Sequence, residues 1–242
     1  MPDPQAPGRL LDEATLHASS VVANNAMNRE RQLAGVNSYQ RELGLSPLDF
    51  LVTAAENNGA AAWLDLCCGT GLALIQAAEM LRRDGLAGRV AITGVDLVDA
   101  FAPAPTESPG LRLVCSPIGT WAPDRAFDLI TCVHGLHYVG DKLTALARAA
   151  SWLTPAGRLI ADLDLHEVRT PDGPRGLVRA LRGAGFSYDW RSHRIGRAGR
   201  LDVSLPYRYL GADDQAGPGY TGQPSVASYY EGAGAQPEPC RP

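Results

Sequence analysis

The stretch Trp63-Leu64-Asp65-Leu66-Cys67-Cys68-Gly69-Thr70-Gly71 constrains the fold more than any other part of the chain. It is a short apolar run that ends in two glycines and then feeds a helical pattern. A strand that turns into a helix within a few residues leaves backbone N–H groups pointing at its mouth, and glycines let a ligand approach them closely. A second run, Ala91-Ile92-Thr93-Gly94-Val95-Asp96, reads as another strand ending in an acid. Together they describe a nucleoside held at the carboxyl ends of parallel strands.

The remaining pattern alternates strand and helix. Strands are expected over 62–66, 90–95, 111–115, 127–133 and 158–163, with helices over 72–83, 141–153 and 175–184. The strands are near-continuous apolar runs, which burial beneath helices on both faces requires. Two further strands, 186–195 and 201–210, are joined by the short turn 196–199 and so pair as an antiparallel hairpin. The expected fold class is α/β: a doubly wound, mostly parallel seven-stranded sheet with an antiparallel C-terminal hairpin. Ahead of it, residues 10–33 read as helical, and Ser46-Pro47 caps a helix that Asn57-Asn58-Gly59 closes. The expected organisation is an N-terminal helical lid over 1–58, a core over 59–211 and a Gly/Pro/Tyr-rich tail over 212–242. Residues 1–9 are Pro-rich and expected to be loose. The tail is divided between a flexible end and a segment ordered by a ligand, because Tyr220, Tyr229 and Tyr230 are unusual in a solvating linker.

Composition narrows the function. The 242 residues suffice for one well-buried core. A net charge of −4 with no long Lys/Arg block argues against nucleic acid as a partner. The start Met1-Pro2-Asp3-Pro4 has no secretory pattern, and no apolar run is long enough to span a bilayer. Cys67, Cys68, Cys115 and Cys132 lie in apolar segments without metal-ligand spacing, and Cys240 lies in the tail. The first four read as small buried thiols of a cytoplasmic protein, with no metal expected.

The motifs resemble those of the class I S-adenosylmethionine-dependent methyltransferases. Leu64-Asp65-Leu66-Cys67-Cys68-Gly69-Thr70-Gly71 matches the family's first motif, and Asp96 occupies its acidic site after strand two. Phe127-Asp128-Leu129-Ile130-Thr131-Cys132 followed by His134-Gly135-Leu136-His137-Tyr138-Val139 resembles the fourth motif. Leu153-Thr154-Pro155-Ala156-Gly157-Arg158-Leu159 resembles the turn into strand five. The resemblance covers roughly 55–210 and implies a Rossmann-like methyltransferase fold with the last strand inserted between strands five and six. A nicotinamide-binding fold is the nearest competitor, but Gly69-Thr70-Gly71 continues into Leu72-Ala73-Leu74 without the third glycine that pyrophosphate packing needs.

The resemblance implies S-adenosyl-L-methionine as cofactor and assigns roles to matching positions. Asp65 lies near the methionine amine, Gly69 and Gly71 let the turn pass close to the cofactor, and Asp96 accepts from the ribose hydroxyls. Leu97 follows on the adenosine side. Ser116 stands where many members carry an acid for the adenine amine, which leaves adenine to Ser116, Pro117 and neighbouring backbone. Tyr39 or Arg41, in a polar N-terminal segment that also includes Asn28-Arg29-Glu30-Arg31, is expected to reach the cofactor carboxylate. An oxygen or nitrogen acceptor must lose a proton, and imidazole suits that task. His134, which also borders the cofactor, His137 and His166 are the candidates; His17 and His193 are poorer ones, the latter on an outer hairpin. The expected substrate is a small molecule, such as a bacterial secondary metabolite, acted on by a monomer or homodimer. Peptide or protein methylation is the alternative, and a cofactor-binding partner subunit without chemistry is another.

Overall fold

A computed structural model describes residues 10–23, 30–104 and 108–233. Residues 1–9, Asn28, Arg29 and Cys240, for which expectations are stated above, lie outside them. Strand β1 (Ala61–Leu66) is buried at all six positions and forms the centre of the molecule. It pairs in parallel with β2 (Val90–Asp96) on one side and β4 (Phe127–Cys132) on the other. Outside them run β3 (Leu111–Cys115) and β5 (Leu153–Asp162), both parallel to their neighbours. With β7 (Ser187–Asp189) and β8 (Arg194–Ala198) the sheet order is β3-β2-β1-β4-β5-β8-β7. This is the expected seven-stranded, mostly parallel sheet, and its last strand does insert beside β5, antiparallel.

Side-chain alternation divides the core between the two faces. Trp63 and Leu129 pack with α4 (Pro47–Asn58) and α5 (Leu72–Arg83) through Leu51, Ala55, Leu74 and Leu81. Leu64, Leu66 and Ile130 face α6 (Lys142–Ser151) and α7 (Gly173–Gly183) through Leu146, Ala149, Leu177 and Leu181. Helix α4 starts as its sequence dictates, with Ser46 Oγ accepting from Asp49 N–H at 3.2 Å.

Three expectations are corrected. The hairpin turn falls at 190–193, where Asp189 accepts from Arg191 N–H and the Ser192 hydroxyl. Gly196, read as a turn residue, lies inside β8 opposite Ser187 and Ile160, where a Cβ would stand 3.2 Å from Ser187 Oγ. Residues 201–210 are therefore not the partner strand. The N-terminal stretch is not one helix: the described part contains α1 (Glu13–His17) and α2 (Ser20–Ala23), and residues 30–38 are irregular before α3 (Tyr39–Leu43).

The third correction concerns the segment after 201. It contributes β9 (Tyr207–Asp213) and β10 (Ala227–Gly232), which join β6 (Val168–Arg169) in a second sheet of order β6-β10-β9. Leu11 bridges to Ala212 and extends its edge. This sheet is pinned to α6 by a buried cation. Lys142 Nζ donates to Val139 O at 2.8 Å, Val226 O at 2.7 Å and Ser228 Oγ at 3.1 Å. Burial lowers the Lys142 ammonium to about 8, and the three acceptors satisfy its three donors. Beside it, the Tyr230 hydroxyl accepts from Leu143 N–H and donates to Asp141. Among the described residues no helix is long and apolar enough to cross a membrane.

Lys142→Met keeps the apolar stem and strands two buried carbonyls. It should lower unfolding free energy by about 2–4 kcal/mol and speed proteolysis within 214–226. Urea titration and limited proteolysis of parent and variant check this.

Candidate active site

The strand order reverses between β1 and β4, which opens a crevice at their carboxyl ends. Cys67 leaves β1 at φ 57°, a left-handed conformation costing a residue with a Cβ about 1–2 kcal/mol. Gly69 follows at φ 60°, and its N–H donates to Asp96 Oδ2 at 2.8 Å. Val98 N–H donates to Asp96 Oδ1 at 3.0 Å. Asp96 thus ties the glycine turn to the end of β2. Gly71 caps α5 at φ 71°, and a Cβ there would press on Leu113 at 3.0 Å.

Gly69, Asp96, Leu97, Pro117, Ile118 and His134 border one cavity of about 300 Å³, the lower end of the range for small-molecule sites. Its floor is apolar beside Leu97 and Ile118, with the Asp96 carboxylate at one edge. Ser116 is not on its lining; its N–H donates to Asp96 O at 2.8 Å and continues the strand pairing. The Arg148 guanidinium donates to the carbonyls of Ile118, Gly119 and Trp121 and holds that wall in place. Helix α1 and β9 close the far side with Glu13, His17 and Tyr209. His17, read as a poor candidate, lies at the cavity, where Nε2 is 3.2 Å from Glu13 Oε2.

Asp65 lies under the crevice, fully buried. On β1 it shares a face with Trp63, opposite Thr131 of β4. Tyr39 Oη donates to Asp65 Oδ2 at 2.7 Å, and the Thr131 hydroxyl donates to Oδ1. Trp63 Nε1–H donates to Thr131 at 2.8 Å, and its ring packs edge-on against Tyr39. Burial raises the Asp65 carboxyl to about 7 despite both donors. Neither Tyr39 nor Asp65 borders the cavity, and Arg41 is exposed.

The histidines separate. His134 is 6% exposed at the cavity, in left-handed backbone at φ 56°. Its Nε2 stands 3.4 Å from Glu42 Oε2 and 3.9 Å from Asp162 Oδ2, and its Nδ1 is 3.3 Å from the Tyr220 hydroxyl. His137 is buried behind it, rings stacked at 5.8 Å, with Nδ1 2.6 Å from Glu167 Oε1. It does not border the cavity. His166 is exposed outside it, and its N–H is capped by Asp164 at 2.9 Å. His193 lies in the β7–β8 turn, on the outer hairpin as expected, and its ring stacks on Tyr220 at 4.1 Å and 7°.

Glu42, His134 and Asp162 offer ligand atoms within 4.8 Å of one another, a donor set able to hold a divalent cation. Their other contacts are those of an ion-pair network. Arg31 Nη1 lies 3.0 Å from Glu42 Oε1, and Asp162 Oδ2 accepts His134 N–H at 3.1 Å. The imidazole and its neighbours lower the Glu42 carboxyl, while burial raises that of Asp162.

Sequence reasoning missed Glu42, Asp162 and Tyr220 as partners of His134. Asp162 carried a usable signal, an acid at the carboxyl end of a strand beside the switch point. Tyr220 carried only its oddity as a tyrosine in a Gly/Pro-rich tail, and Glu42 carried none, since a long loop and a five-residue helix bring them in.

Asp65 makes stability depend on pH with a definite sign. Between pH about 4 and 7 the unfolded chain loses this proton while the folded one keeps it, so stability falls as pH rises. Asp65→Asn should remove up to about 4 kcal/mol of that slope. Urea unfolding of parent and variant at pH 5 and 7.5 checks the difference.

A family model described as a methyltransferase domain matches residues 37–190. Among solved structures, the plantazolicin methyltransferase bound to a triazolic desmethylPZN analog and SAH is 15% identical, TM-score 0.41, over 71% of this chain and 58% of that one. An amino pentose methyltransferase from Micromonospora echinaspora is 26% identical, TM-score 0.34, over 50% and 52%. The N-methyltransferase NodS from Bradyrhizobium japonicum WM9, in complex with S-adenosyl-L-homocysteine, is 16% identical, TM-score 0.39, over 70% and 94%. The chain spans about half the length of the first of these structures it matches, 51% in the complex with a monoazolic analog. No curated protein matches it in sequence. With more than half of its residues covered by that domain, the chain belongs to the class I S-adenosylmethionine-dependent methyltransferase family.

Proposed function

We propose that this protein transfers a methyl group from S-adenosyl-L-methionine to an oxygen or nitrogen atom of a small molecule. The observation that carries the reading is one cavity with the Gly69–Asp96 turn at one end and His134 beside it. The residues present fit the cofactor: Leu97 and Ile118 offer apolar walls to adenine, and Asp96 offers carboxylate oxygens to ribose hydroxyls. Gly69 removes the side chain that would block the thioether. When bound, the cofactor supplies a methyl group on cationic sulfur, and the sulfide leaves neutral.

The chain's own task is then alignment and proton removal. Walls held by Arg148 and by the Asp96 tether keep the two reactants in line, a contribution of several kcal/mol when geometry is strict. His134 takes the acceptor's proton, and the carboxylates of Glu42 and Asp162 stabilise the imidazolium that results. The modest size of the cavity, with α1 and β9 on its far side, supports a small acceptor over an extended peptide. Of the four thiols expected to be buried, Cys68 and Cys132 are, whereas Cys67 is half-buried and Cys115, at the end of edge strand β3, is exposed. All four are free, which supports a reducing, cytoplasmic setting.

Calorimetry should show binding of S-adenosylmethionine and S-adenosylhomocysteine and negligible binding of NAD. NAD affinity without a response to S-adenosylhomocysteine sinks the reading. Asp96→Ala should weaken S-adenosylhomocysteine by roughly 2–4 kcal/mol in a folded variant; a dissociation constant within twofold of the parent removes Asp96 from the ribose.

Acceptor class is tested with labelled S-adenosylmethionine and separate small-molecule and protein extracts. Label is expected in the small-molecule fraction, and label in protein alone overturns that class. His134→Ala should slow this transfer about 10²–10⁴-fold with cofactor affinity retained.

A further inference from the structure

Nε2 of His134 faces two carboxylates and makes no hydrogen bond to either. Glu42 Oε2 stands 3.4 Å away and Asp162 Oδ2 3.9 Å, both beyond the ordinary N–H···O length. The residue is more than nine-tenths buried, so this is an unpartnered ring nitrogen on a nearly buried side chain. Asp162 is buried as well. The spacing has a physical meaning of its own. Donors bound about 2.0–2.2 Å from one tetrahedral ion stand roughly 3.4 Å from each other. Glu42 and His134 already have that separation, and Asp162 reaches it by closing about half an ångström.

Each donor is also aimed by a second contact. Arg31 Nη1 holds Glu42 Oε1 at 3.0 Å and leaves Oε2 for a ligand. The His134 backbone N–H donates to Asp162 Oδ2 at 3.1 Å, which orients a carboxylate oxygen that keeps a further lone pair. Tyr220 Oη lies 3.3 Å from Nδ1, where it can accept that nitrogen's proton and leave the lone pair on Nε2. Partners of this kind fix the tautomer and direction of metal ligands. The ring itself is held by left-handed backbone at φ 56° at the end of β4. Glu42 is 30% exposed at its side chain, which gives an ion a way in from solvent. Three protein donors leave a fourth position for water or a ligand. An imidazole beside two carboxylates selects a transition cation over Mg²⁺ or Ca²⁺, whose ligands are oxygen.

We propose that Glu42, His134 and Asp162 form a binding site for one divalent transition-metal cation of the zinc type. The site is separate from the cysteines, whose spacing gave the expectation of no metal. Binding is ligand exchange alone: two carboxylate oxygens and Nε2 replace water on the ion, and no electron moves. Its consequence for turnover rests on the methyl-transfer reading above. With Nε2 on the metal and the proton on Nδ1, the ring has no lone pair left for the acceptor's proton. Metal ligand and base are therefore alternative states of His134, and the ion arrests transfer without displacing the cofactor.

Co²⁺ is the probe, because its visible d–d absorption reports the ligand set and thiolate ligation adds a near-ultraviolet charge-transfer band. Titrated into the full chain after treatment with EDTA, it should bind as one equivalent with d–d bands and no thiolate band. Glu42→Gln and Asp162→Asn should each weaken this equivalent at least about tenfold. S-adenosylhomocysteine affinity within twofold of the parent shows that a variant is folded, and the half-buried Glu42→Gln decides the matter if the buried Asp162→Asn unfolds. With the small-molecule extract as acceptor source, one equivalent of Co²⁺ should slow label transfer by the parent at least about tenfold, and EDTA should restore it. No binding, a thiolate band, or an affinity unchanged in folded Glu42→Gln overturns the site. Full transfer by the loaded chain overturns the arrest. A parent that binds Co²⁺ here but does not bind S-adenosylhomocysteine instead refutes the methyltransferase reading and leaves the metal site standing.

Discussion

The hydrogen bond from Tyr39 to the buried carboxyl of Asp65 is the contact on which the site's geometry depends. Asp65 lies on the central strand, where no water can satisfy it, so its oxygens must be met by protein donors. Thr131 on the next strand supplies one donor and Tyr39 the other, and Tyr39 opens the short helix α3. That helix is too short to hold a position by its own propensity. Anchored through Tyr39, it carries Glu42 over the crevice and to within 3.4 Å of His134. A carboxyl under the sheet's switch point therefore sets the electrostatics of a residue above it.

The second sheet works the same way from the opposite side. A two-stranded ribbon has little stability alone, and β9 and β10 gain theirs from Lys142, Tyr230 and the short strand β6. Once pinned, the ribbon sends Tyr209 to the cavity wall and its connecting loop to the imidazole. Glycines at 219 and 222 let that loop turn tightly against Glu167. The groups around His134 thus come from α3, the end of β5, the β7–β8 turn and the β9–β10 loop. No two of the four adjoin in sequence.

Charge around the crevice follows from this assembly. Asp96, Glu42 and Asp162 all stand near the carboxyl ends of strands, and Arg148 spends its guanidinium on three backbone carbonyls. Of these only Asp96 borders the cavity, beside Glu13 and Asp141, while Glu42 and Asp162 set the field at the His134 ring. Local electrostatics here outweighs the modest net charge of the whole chain.

The doubly wound sheet was legible in the sequence because its signals are local. Near-continuous apolar strands, Ser46-Pro47 at a helix start, and Gly69 and Gly71 at the first turn each depend on neighbours a few residues away. The same locality placed Gly69, Asp96, Leu97 and Pro117 at one cavity, since strand ends in a parallel sheet share an edge. It failed at Gly196, where a glycine inside a strand mimics a turn, and at Tyr207–Asp213 and Ala227–Gly232, whose strands exist only through pairing across the fold. The tertiary structure alone decided which histidine meets the crevice. His134, His137 and His166 are equivalent by residue type and strand-end position, and what separates them is burial and the partners brought by distant segments. Glu42 and Tyr220 reach His134 across 92 and 86 residues of chain respectively, a separation that no periodicity or spacing rule can span.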